Sequence, residues 1–182
     1  YDVHDNVTRL HDDNGNDTDY TFDHLNRLVS KTYESTKTVE YTLDDNGNAV
    51  AIVDENGTVT AQGFDDLDRL IGRDLTLASG VGGDTEEEFA YDALNRLTEA
   101  KDNDSIVQFT YDSLSRVVTE LQGSNPLGST GKTVTNTWDA ESNLTHIDYP
   151  SGFDVERTYA ENSMLTELED GSSASIATFQ HW

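Results

Sequence analysis

Thirty-six of the 182 residues are aspartate or glutamate, so carboxylates are the first groups whose chemistry needs an account. Glycoside hydrolysis uses two carboxylates facing each other across a cleft at a fixed separation. Here the acids run along the whole chain, and Glu86-Glu87-Glu88 reads as a solvated loop edge. Asp12-Asp13-Asn14-Gly15-Asn16-Asp17 has the residue types of a calcium loop, but its glycine comes too early for that pattern. It aligns instead with Asp54-Glu55-Asn56-Gly57, which makes a hairpin turn the better reading. The five histidines, His4, His11, His24, His146 and His181, show no paired spacing of the His-Glu-x-x-His kind. No Gly-x-Ser-x-Gly elbow is present, and Gly80-Val81-Gly82-Gly83 lacks the Lys-Ser/Thr of a phosphate loop. The chain has no cysteine, hence no thiolate nucleophile, thiolate metal site or disulfide. The expectation is a protein that is not an enzyme, with no catalytic residue, no cofactor and no bound metal.

Composition narrows the partners. Eleven basic residues leave a formal charge of −25, which repels nucleic-acid phosphates and anionic lipid. No apolar run approaches the ~20 residues a spanning helix needs, so neither nucleic acid nor membrane insertion is expected. Only 34% of residues are apolar, below the ~45–50% usual for globular chains. Yet 9% are aromatic, too many for a disordered acidic tail. A thin, wet-faced structure fits both facts.

What organises the chain is an internal repeat. Seven-residue motifs start at residues 1, 22, 43, 64, 91, 111, 138 and 159, mostly 21 apart: YDVHDNV, FDHLNRL, LDDNGNA, FDDLDRL, YDALNRL, YDSLSRV, WDAESNL and YAENSML. Position one is Tyr1, Phe22, Leu43, Phe64, Tyr91, Tyr111, Trp138 and Tyr159. Position two is Asp2, Asp23, Asp44, Asp65, Asp92, Asp112 and Asp139, then Ala160. Position six holds Asn6, Arg27, Asn48, Arg69, Arg96, Arg116 and Asn143, and position seven is always apolar. The motif begins at Tyr1 itself, and the chain reads as an internal fragment of a longer array.

Strands must carry these motifs. Val39, Tyr41 and Leu43, or Val107, Phe109 and Tyr111, alternate with polar residues, the period of a half-buried strand. Following stretches such as Leu28–Tyr33 are rich in β-branched and aromatic types. A second turn signal, Asn-Gly or Asp-rich, lies about eleven residues after most starts. Each repeat is therefore two strands and two turns. The predicted fold is all-β: residues 1–182 form about eight consecutive antiparallel hairpins, about 16 strands, in a curved sheet or spiral shell segment. Motif rings are expected to stack in columns, with motif arginines pairing with aspartates of neighbouring repeats. Two repeats run to 27 residues and place the extra length in the mid-repeat turn, at about residues 72–88 and 120–133, so both loops should leave the same edge of the sheet.

At these motifs the chain resembles the Rhs (YD-repeat) family, whose unit reads Tyr-Asp-x-x-Gly-[Arg/Asn]-Leu. The family glycine is kept only at Gly47. Asp5, Asn26, Asp68, Asn95, Ser115, Ser142 and Ser163 replace it, and Asn and Asp tolerate the left-handed turn best. The resemblance implies a structural role: a segment of a hollow β-shell, secreted or on the bacterial cell surface, that encloses or presents a C-terminal toxin polypeptide. Its immediate partners would be flanking repeats of the same polypeptide. The alternative is an adhesion or carbohydrate-binding surface whose partner is a cell-surface ligand.

Overall fold

In the computed structural model, which describes residues 1–126 and 131–179, the alternating stretches form strands, with no helix among the described residues. The first eight strands are β1 (Arg9–His11), β2 (Asp17–Phe22), β3 (Leu28–Tyr33), β4 (Thr38–Leu43), β5 (Ala49–Val53), β6 (Val59–Phe64), β7 (Leu70–Thr76) and β8 (Glu86–Tyr91). Then come β9 (Leu97–Asp102), β10 (Ser105–Tyr111), β11 (Val117–Ser124), β12 (Lys132–Trp138), β13 (Leu144–Asp148), β14 (Asp154–Tyr159), β15 (Leu165–Asp170) and β16 (Ser175–Thr178). Sheet order is chain order, and the pairing is antiparallel. The all-β hairpin array expected from the sequence is what forms.

The chain divides into two compact halves, Tyr1–Phe89 and Ala90–Trp182. In the first, Phe22 lies opposite Leu28, Leu43 opposite Ala49 and Phe64 opposite Leu70. In the second, Tyr111 faces Val117, Trp138 faces Leu144 and Tyr159 faces Leu165. Motif positions one and seven are thus cross-strand partners in both halves. A register shift immediately precedes each of these pairs, because the outgoing strand carries one extra residue there. Such a bulge sharpens local twist and re-aims side chains beside the turn.

Strands entering a motif turn expose alternate residues, as in Thr38–Leu43, where Glu40 and Thr42 face solvent. The strands leaving it differ from that pattern. In β3, β9 and β15 every residue is half-covered. Neither kind builds an interior: among the described residues only Ile106, Ile147 and Thr58 are buried, at 6–8% exposure. With no core of ordinary depth, lateral contacts between hairpins must supply most of the order.

The two long connections are shorter than the spacing suggested. β7 continues to Thr76 and β8 begins at Glu86, leaving residues 77–85 between them. β11 continues to Ser124 and β12 starts at Lys132, and residues 127–130 of that connection lie outside the described residues. The Glu86-Glu87-Glu88 run is therefore not a loop edge. It pairs with Asp74, Arg73 and Gly72, and Arg73 Nη1 meets Glu87 Oε2 at 2.8 Å. The lengthened strand β7 carries a cation opposite the acids, and the ladder recruits them.

Candidate functional site

The motif is a turn, and its chemistry starts with the aspartate at position two. Asp23 shows the pattern. Its backbone N–H donates to the Arg27 carbonyl (2.9 Å), and its carbonyl accepts from the Asn26 N–H (3.1 Å). Its Oδ1 accepts the backbone N–H groups of Leu25 (2.8 Å) and Arg27 (2.9 Å). One carboxylate thus satisfies two amides that the tight turn turns away from the ladder. The same pair of backbone bonds closes thirteen turns among the described residues, at the motif and at mid-repeat positions alike. Asp12, aligned above with Asp54, is one of them, and its Oδ1 accepts from Asn14 and Asn16 at 2.8 Å.

The fifth residue of each of these turns has positive φ. Gly47 adopts it at 97°, whereas Asp5, Asn26, Asp68, Asn95, Ser115, Ser142 and Ser163 hold 57–68°. Serine therefore tolerates the left-handed position here as Asn and Asp do. The fixed bonds on either side hold it there.

Position six joins one turn to the next. Arg116 Nε donates to Asp112 Oδ2 at 2.6 Å, its Nη1 reaches the Asp139 carbonyl at 2.7 Å, and Ser142 Oγ lies 3.3 Å away. Arg96 repeats this with Asp92 (2.6 Å), the Asp112 carbonyl (3.0 Å) and Ser115 Oγ (3.2 Å). Arg27 does so with Asp23 (2.7 Å) and the Asp44 carbonyl (2.6 Å). Arg69 binds Asp65 Oδ2 at 2.7 Å. The shorter asparagines relay where the next turn offers an Asn or Asp side-chain oxygen. Asn6 Nδ2 bridges Asp2 (2.9 Å) and Asn26 Oδ1 (3.0 Å), and Asn48 bridges Asp44 (3.0 Å) and Asp68 Oδ1 (2.6 Å). Asn143 binds Asp139 Oδ2 at 2.8 Å. The expected ion pairing is thus corrected in one respect: each arginine pairs with the aspartate of its own repeat. Arg27, Arg96 and Arg116 grip the neighbouring repeat through a main-chain carbonyl, because that neighbour's carboxylate is already bound within its own turn.

The rings at position one complete the seam. Tyr111 Oη donates to the Leu97 carbonyl (2.7 Å), Trp138 Nε1 to Val117 (2.9 Å) and Tyr159 Oη to Leu144 (2.9 Å), always position seven of the preceding repeat. The Arg96 guanidinium lies 4.6 Å over the Tyr111 ring, and that of Arg116 5.5 Å over Trp138. These rings do share one station, but they layer with guanidiniums. Phe22, Leu43 and Phe64 occupy the station without a polar tip, half-buried like Tyr91, while Tyr1 is 85% exposed. Sequence inspection missed this bond to the preceding carbonyl, because a ring column looks the same with or without its polar tip. It also passed over Leu25, Leu67, Leu94 and Leu114, which recur at position four and stand 58–70% exposed at the turn tips.

Electrostatics follow the bonds. The Asp65, Asp44, Asp139 and Asp2 carboxyls are held below the usual range chiefly by the position-six side chain. In Asp23, Asp92 and Asp112 the backbone N–H of the arginine contributes most, and the guanidinium adds to it. Such groups are ionised clamps rather than acids or bases. His4, His11 and His24 are exposed, and His181 lies outside the described residues.

Comparison with known proteins agrees with this geometry. The RHS Repeat family model matches residues 1–38 and 91–130, and these two stretches are RHS repeats. Among curated proteins no sequence matches this chain. The fold is that of solved Tc toxin structures. A crystal structure of TcdB2-TccC3-TEV aligns with 93% of this chain at a TM-score of 0.62 and 15% identity. A Photorhabdus luminescens Tc holotoxin pore with a mutated TccC3 aligns with 88% at a TM-score of 0.60 and 14% identity. This chain spans 12% and 11% of the length of those two chains, respectively.

Proposed function

We propose that this chain is a stretch of wall in a secreted or surface-exposed, bacterial RHS-repeat shell that encloses or presents a toxin polypeptide. The observation that carries the reading is the seam. At Arg96 and Arg116 position six is bonded to the main chain of the next turn and the ring after it is bonded back, so these hairpins are keyed to their successors. Binding and catalysis do not call for such keying, whereas a self-supporting wall does. Among the described residues almost none is buried, as a wall wetted on both sides requires. The Tc toxin fold supports the same reading.

The test uses the full-length polypeptide that contains this segment. A C-terminal polypeptide within an intact shell should resist a protease that digests it when expressed alone, and Arg116→Ala should speed its loss. Digestion at equal rates in the shell and alone would overturn enclosure. Specific retention on a glycan array by intact protein would favour the adhesive alternative.

A further inference from the structure

The chain's fourth histidine has surroundings unlike those of the others. His146 in β13 lies opposite Glu156 of β14, and Asp148 lies opposite Asp154. Residues two apart share a face of the sheet, so all four side chains project from the same side. His146 Nε2 is 3.2 Å from Asp148 Oδ1 and 3.6 Å from Asp154 Oδ2, and Nδ1 is 3.9 Å from Glu156 Oε1. One donor atom each from His146, Asp154 and Glu156 fall within 4.8 Å of one another. In a tetrahedral zinc centre, bonds of ~2.0–2.2 Å place neighbouring donor atoms roughly 3.3–3.6 Å apart, close to the two Nε2 separations.

One further feature sets this group apart from a chance acidic patch. The three carboxylates have no lysine or arginine partner among the described residues, and their ion pairs all run to His146. His146 and Asp154 are only 26% and 23% exposed. A divalent cation would relieve the mutual repulsion of the carboxylates gathered round this imidazole.

We infer that His146, Asp154 and Glu156 bind one divalent transition-metal ion of the zinc class, clamping β13 to β14. The imidazole nitrogen favours such an ion over calcium or magnesium, which prefer all-oxygen donors. The assignment does not depend on the proposed shell role.

The experiment is calorimetric titration of the 182-residue chain with Zn2+ at neutral pH, in excess Ca2+ to saturate diffuse binding to the acidic surface. One Zn2+ per chain is expected, weakened at least about tenfold by His146→Gln and by Glu156→Gln and unchanged by the exposed Glu161→Gln. Glu156 is 57% exposed, so its variant keeps the test valid if His146→Gln fails to fold. Co2+ in place of Zn2+ should give the visible absorption of a four-coordinate centre. Absence of binding in excess Ca2+, or equal binding by Glu156→Gln and the unaltered chain, would overturn the assignment.

Discussion

Replacing Arg116 tests the seam most directly, because that side chain makes the ion pair, the carbonyl bond and the ring contact of its junction. Its Nε bonds Asp112, its Nη1 bonds the Asp139 carbonyl, and its plane lies over Trp138, with 18% of the side chain exposed. A partly screened ion pair contributes at most ~1 kcal/mol. The bond to a carbonyl adds ~1 kcal/mol, and cation–π contact adds roughly 0.5–1 kcal/mol. Arg116→Ala should therefore cost about 2–3 kcal/mol. Arg116→Lys keeps the charge but loses the planar fork, and should recover less than half of that. Lys132→Ala, at an exposed lysine of β12, should stay within ~0.5 kcal/mol of the unaltered chain. Urea unfolding followed by tryptophan fluorescence and circular dichroism gives all three values. Amide exchange then locates the damage, which should centre on the Asp139–Asn143 turn. If Arg116→Lys matched the unaltered chain, charge alone would be acting and the fork argument would fail. If Arg116→Ala cost no more than Lys132→Ala, the seam would contribute nothing.

Two further outcomes follow from the same bonds. Tyr111→Phe removes only the hydroxyl that donates to the Leu97 carbonyl and should cost about 1 kcal/mol, with faster exchange near Leu97; a change below ~0.3 kcal/mol would show that water substitutes fully. Stability should also depend on acid in a particular way. The motif carboxyls titrate lower when folded than their unfolded value near ~3.9, so their contribution is complete above that value and is lost as pH falls through it towards the folded values. Repulsion within a chain of charge −25 acts in the opposite direction and is relieved as pH drops or salt is added. Thermal melts should therefore show a stability maximum on the acid side of neutrality, a collapse below about pH 4, and a salt-induced rise at pH 7. A melting temperature that climbs steadily as pH falls to 3 would refute the turn-clamp argument.

The repeat period and the alternation beside each motif were enough to read the hairpin array from the chain. Asp23, Arg27 and their equivalents stood out because each turn repeats the same local geometry, and local geometry leaves a regular spacing. What stayed hidden depends on register between strands. The Arg116 bond to Asp139 spans 23 residues, and the Glu87 partner Arg73 lies in the strand across from it. The cluster at His146 was invisible for the same reason. Its ligands are set by which residue of β14 falls opposite which residue of β13, and no fixed spacing along the chain encodes that.

The motif's tolerance of substitution follows from the seam. A fully keyed repeat combines a carboxylate at position two, a residue at position five that accepts positive φ, a donor at position six, and an apolar partner for the ring at position seven. Everything else in the repeat lies on a face that water reaches. Where position two changes, as at Ala160, position six also changes character, to Met164, and the carboxylate clamp is lost. The backbone bonds of that turn nevertheless persist at 2.9 Å, so the turn survives without the clamp. The two roles are therefore separable: the backbone pattern makes the hairpin, and the aspartate–arginine pair joins hairpins. A wall built this way can lose the pair at one repeat and still continue through its strand pairing, provided that neighbouring seams hold.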